Sequence, residues 1–198
     1  MGSVVGTPEL RSFWRWFRAE EPALGTLTTE SLADAVYGRL GQIDAGVGVL
    51  VADDATPIEL VFTAHAVAEL ASLVRELVAE APELPGWRFV AFVPPATCPF
   101  THERPGSRVD SAAVRFLPLG ASGLPTSTGI RLFVPDDVLE PPEREEILWS
   151  LIITAAGEEL AMYIEHVEGR ALAQAADDEL PLSQLGRYLS WNRARSSQ

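Results

Sequence analysis

Three histidines and one cysteine are the side chains most able to do chemistry: His65, His102, His166 and Cys98. Imidazole and thiolate groups serve as metal ligands, general bases and nucleophiles. Cys98 and His102 lie four residues apart in a proline-rich stretch, with Glu103 adjacent. Completed in space by His65 or His166, they could hold a metal and support a metal-dependent hydrolase. Pro99 interrupts the local spacing and no H-E-x-x-H pattern accompanies it. The same residues therefore read first as loop side chains without catalytic work. With one cysteine, neither an intramolecular disulfide nor a C-x-x-C knuckle can form, which fits a reducing compartment.

Carboxylates form a second set. Glu158, Glu159, Glu165 and Glu168 cluster along the chain, and Asp53-Asp54 and Asp136-Asp137 sit at expected turns. Paired carboxylates suit glycoside hydrolysis or a divalent cation. Ion pairing suits them too: on a strand over residues 160–167, Glu165 would look toward Arg115 or Arg131 on neighbouring strands. Asp-Asp pairs are also ordinary turn chemistry.

Other chemistries are excluded by composition. All 15 basic residues are Arg, so no P-loop, Schiff-base or kinase-type lysine exists. Gly46-Val47-Gly48 lacks the third glycine of a dinucleotide fingerprint. Gly120-Ala121-Ser122-Gly123 is not a nucleophile elbow. No serine stands out as a nucleophile. The reading therefore assigns no catalytic, cofactor-binding or metal residue, and no cofactor.

The net charge is −13 over 198 residues, spread evenly along the chain. Nucleic acids and anionic membranes need clustered positive charge, so neither is expected as a partner. The longest apolar run, Ile147 to Ala156, is about half the length of a membrane span. Residues 1–7 do not read as a signal peptide, which points to the cytoplasm.

The elements that would position these groups follow from periodicity. Thr7-Pro8 starts a helix with Leu10, Phe13, Trp14 and Phe17 on one face, stopped by Glu20-Glu21-Pro22 and Gly25. A second helix, capped by Thr28 or Thr29, carries Leu32, Val36, Leu40 and Ile43. Val47 to Val51 and Ile58 to Phe62 alternate as a hairpin. A third helix presents Val67, Leu70, Leu73, Val74, Leu77 and Val78, and Trp87 to Val93 reads as a central strand. Residues 94–106 read as a loop. Strands are expected around Ala112 to Phe116 and Ile130 to Val134. Pro141-Pro142 with Glu143 opens a helix carrying Leu148, Leu151, Ile152 and Ala155. After a Gly157 cap, Leu160, Met162 and Ile164 suggest a sixth strand or a continued helix. Residues 171–179 read as a loop, and Leu182, Leu185 and Leu189 as a last helix.

The pattern predicts one α+β domain over residues 1–198. A helical segment occupies 8–45, a mainly antiparallel sheet of about six strands with packed helices 46–170, and a C-terminal helix 180–192. The second strand-strand-helix-strand stretch reads as a degenerate copy of the first.

Several landmarks recur in a known order. Phe13-Trp14-Arg15-Trp16-Phe17 is followed by Ala81-Pro82-Glu83-Leu84-Pro85-Gly86-Trp87. Gly157-Glu158, Ile164, Val167-Glu168 and Pro181-Leu182-Ser183-Gln184-Leu185 complete the set. Residues 13–189 thus resemble a family of uncharacterised bacterial proteins. The resemblance implies a shared fold and assigns no activity or catalytic residue. One departure is Thr63-Ala64-His65-Ala66, where the family pattern has a turn pair such as Asp-Gly.

The favoured function is a non-enzymatic cytoplasmic binding or protein-interaction module. Trp14 and Trp16 are its contact candidates, because the apolar arc of the first helix spans about 160°, more than docking on one side needs. An unknown protein or a second copy would be the partner. The alternatives are the metal-dependent hydrolase and a binder of small apolar ligands in a pocket between helix and sheet.

Overall fold

A computed structural model of the chain describes residues 8–52, 56–104, 107–121, 124–136, 144–175 and 178–196. The chain, read from its sequence as one domain, gathers into two compact units, Met1–Val93 and Pro94–Gln198. The Asp53-Asp54 turn, Asp137, the Ser122-Gly123 pair, the Thr7 cap and the Pro141-Pro142-Glu143 helix start lie outside the described residues.

Unit 1 contains α1 (Pro8–Leu24), α2 (Thr29–Leu40), β1 (Gly48–Ala52), β2 (Ile58–Thr63), α3 (Ala71–Ala79) and β3 (Trp87–Ala91). Its sheet runs β1-β2-β3, with β1 antiparallel and β3 parallel to β2. The parallel pair requires a crossover, and α3 provides it. Thr28 caps α2 by accepting a hydrogen bond from the Ser31 backbone N–H. Pro22 does not stop α1, which continues to Leu24. Near a helix end a proline forfeits one backbone bond, and Gly25 N–H donating to Glu21 O at 3.0 Å still closes the turn.

The core of unit 1 is aromatic. Leu10, Phe13, Trp14 and Phe17 of α1 are buried. Trp14 meets Phe89 at 4.8 Å between ring centroids, Phe13 meets Phe62 at 6.1 Å, and Phe17 meets Trp87 at 5.0 Å. These edge-on arrangements suit the ring quadrupoles. Both buried indoles satisfy their N–H groups: Trp14 Nε1 donates to Leu77 O and Trp87 Nε1 to Glu21 Oε1, each at 2.8 Å.

After β2 the chain reverses through His65 and Ala66, with φ of 51° and 60°. Val67 N–H closes the turn on Ala64 O at 2.9 Å. Two central residues at positive φ with this bond match the type I′ pattern, which favours Asn-Gly or Asp-Gly. His65-Ala66 therefore adopts the conformation that an Asp-Gly pair favours. Gly48 of β1 leaves room for it, since a Cβ there would stand 2.5 Å from His65 Nε2.

Unit 2 opens with a hairpin of β4 (Thr101–Arg104) and β5 (Ser107–Asp110), where a loop was expected. The other strands are β6 (Arg115–Ala121), β7 (Leu124–Val134), β8 (His166–Ala171) and β9 (Leu180–Pro181), in the order β8-β7-β6-β9. Its helices are α4 (Arg144–Ala156), the short α5 (Glu158–Ala161) and α6 (Leu185–Ser196). Gly157, at φ 83°, separates α4 from α5. The strand suggested by Leu160, Met162 and Ile164 does not form there. Ala161 and Ile164 are buried three residues apart on a helical turn, and β8 begins only at His166.

The expected single sheet of about six strands is thus corrected to sheets of three, two and four strands, two of them mixed. The cause is a repeated connection. In each unit an antiparallel strand pair is followed by a helix that crosses over to a parallel third strand. Each parallel pair also sets an acid directly opposite an arginine: Glu59 against Arg88 in unit 1 and Arg131 against Glu168, signs exchanged, in unit 2.

Candidate functional site

The candidates for chemistry divide between the two units. His65 lies exposed on the unit 1 turn, with its ring against Gly48. Cys98, His102, Glu103 and His166 belong to unit 2. Among the described residues no three His, Cys, Asp or Glu side chains form a group able to hold a metal. Glu103 is exposed and ion-paired across the hairpin to Arg108 at 3.5 Å. His166 is exposed at the start of β8.

His102 does have a partner that sequence reasoning missed. Its Nδ1 is 3.3 Å from Ser150 Oγ on α4. An activated hydroxyl–imidazole pair sits at about 2.6–3.2 Å. Ser150 lies inside an apolar helix, so this contact ties the hairpin to α4. Nothing in the run Ile147-Leu148-Trp149-Ser150-Leu151 marks that serine in the sequence.

The glutamate cluster divides. Glu158 is fully buried in the first turn of α5, whereas Glu159 and Glu165 are exposed. Glu168 Oε1 accepts from Arg131 Nε and faces Arg131 Nη2, both at 2.5 Å, while Arg170 reaches Oε2 at 3.3 Å. Arg131, a proposed partner for Glu165, is therefore committed to Glu168.

The two contact candidates on α1 also separate. Trp14 is 4% exposed and anchored in the unit 1 core. The wide apolar arc is used against both the sheet and α3. Trp16 is half-buried, with the Arg39 guanidinium 5.1 Å over its ring.

A different aromatic surface stands out on unit 2. Leu182, Leu185 and Leu189 are buried and dock α6. At 100° per residue, Tyr188, Trp191 and Arg195 fall within about 60° of one another on the flank beside that stripe. Trp191 is 52% exposed and carries Arg195 at 4.6 Å over its ring. Tyr163, just after α5, is 43% exposed and carries Arg193 at 4.5 Å. Tyr188 bridges inward, 6.1 Å from Trp191 and 5.8 Å from Phe116. Burial raises the Tyr188 phenol above its ordinary value of 10.0, with the Arg195 charge acting the other way, so the hydroxyl stays neutral. Asn192 Nδ2 donates to Thr128 Oγ1 at 2.7 Å and fixes α6 on β7. Helix α6 contains three arginines and no acid. The surface combines aromatic rings and arginines on a chain of net charge −13. The signal was present in the sequence as Tyr188, Trp191 and Arg195 lying off the leucine stripe.

No helix among the described residues is long and apolar enough to cross a membrane. Neither a family model, nor a curated protein, nor a solved structure matches the chain.

Proposed function

We propose that the protein is a non-enzymatic interaction module of the cytoplasm, and that unit 2 meets a protein partner through α6 and Tyr163. One observation carries the reading: two large aromatic rings, Trp191 and Tyr163, stand exposed, each with a guanidinium stacked on it. Trp, Tyr and Arg are the residues enriched where binding energy concentrates. Their cost of ordering is low here, because α6 is held by Leu185, Leu189 and Asn192. The lone thiol of Cys98 suits a reducing compartment. The reading includes membership of the uncharacterised bacterial family.

Selection of displayed peptides on the full chain tests this. The expected result is a set of binders that Trp191→Ala and Tyr163→Ala each abolish. Binders indifferent to both substitutions would contradict it.

A further inference from the structure

A second surface, on unit 1, is independent of the α6 reading. Arg11, Arg15 and Arg18 of α1 are exposed. At 100° per residue they fall within an arc of about 60°, and at 1.5 Å per residue they span about 10 Å. None of the three guanidinium groups takes part in an ion pair or side-chain hydrogen bond among the described residues. Together with Trp14 and Glu80 they line a cleft beside the C-terminal end of α3. Three unneutralised like charges on adjacent turns repel one another and weaken an isolated helix. They stand on a chain where acids outnumber arginines 28 to 15.

We propose that this stripe docks an acidic helical segment of a partner protein, with carboxylates at matching i, i+4 and i+7 positions. Charge complementarity names the occupant. A facing helix presents three carboxylates over the same 10 Å or so, and guanidinium forks bind carboxylates in pairs of hydrogen bonds. A nucleic acid fits less well, because its charge repeats every ~1.7 Å of duplex and extends past the stripe onto an acidic molecule. Glu80 is the competing carboxylate within the cleft. Its removal should therefore strengthen binding, a sign that simple loss of structure would not produce.

The test is fluorescence anisotropy on the full chain at low and high salt. The probes are a labelled peptide of about four helical turns with glutamates on one face, a scrambled peptide of equal charge, and a single-stranded DNA of equal charge. The expected results are binding of the patterned peptide that weakens with salt, loss of about tenfold or more in the Arg11→Gln/Arg15→Gln/Arg18→Gln variant, and a gain of a fewfold in Glu80→Gln. Glutamine is a good helix former on an exposed face, and circular dichroism checks that the variant is folded. Equal affinity for the scrambled peptide, tighter binding of the DNA, or no effect of the triple substitution would each overturn the proposal.

Discussion

Positive φ at His65 and Ala66 costs energy that the turn itself does not return. Alanine in a left-handed conformation lies about 1 kcal/mol or more above glycine. Ala66→Gly should therefore stabilise the protein by about 0.5–1 kcal/mol in urea melts, and a loss of stability would show that the Ala66 methyl makes a contact worth more than the strain. Ion pairs of like register differ in the same way. Arg131–Glu168 lies at 2.5 Å between largely covered side chains, whereas Arg88 of the 3.1 Å pair with Glu59 is two-thirds exposed. Glu168→Gln should cost about 1–2 kcal/mol and Glu59→Gln under about 0.5. At this scale little of the structure is legible in the sequence. The turn at His65-Ala66 is not legible, because neither residue type favours positive φ. Ser150 facing His102 and Arg131 choosing Glu168 over Glu165 were illegible, because both depend on strand register set over long range.

Amphipathic helices were the most readable elements. Of the α3 stripe predicted from spacing, Val74 and Leu77 are buried at 0% and 1% exposure, whereas Val67 precedes the helix and is 43% exposed. Leu77→Ala should cost about 2–5 kcal/mol through lost transfer energy and a cavity, read from denaturant melts. A cost under about 1 kcal/mol would mean that α3 does not pack as described. Strands were less readable. Thr101–Arg104 and Ser107–Asp110 are polar and lie in a proline-rich stretch, so alternation gives no signal for their hairpin. At 160–164 alternation gives a false one, because short α5 buries Ala161 and Ile164 through a helical spacing. The α1 arc could be a contact face or lie in a groove, and its Trp14 edge is covered whereas Trp16 is half-buried. Trp14 bonds to Leu77 O, and sequence alone cannot show that a helix is covered on two sides.

The whole molecule repeats one solution, a strand pair, a crossover helix and a parallel third strand, in two units. The repeat is legible from element order as far as its helix, but its last strand, read at 160–164, forms at His166–Ala171, and the division into small mixed sheets is not legible, because strand sense follows from the crossovers and not from alternation. Acidity dominates the chain, and α1 and α6 carry three arginines each. A face with Trp191, Tyr163 and stacked arginines contributes little to folding, since substitutions at exposed positions usually change stability by about 0.5 kcal/mol or less. Binding through it would depend on the same side chains by about 2 kcal/mol or more each. The most direct measurement is therefore a paired one on Trp191→Ala: the melting temperature of the protein and its affinity for a peptide selected on the native chain. The interaction reading predicts an unchanged melt with affinity lowered about 30-fold or more. Unchanged affinity, or a melt lowered by several degrees, would contradict it and return Trp191 to a purely structural role.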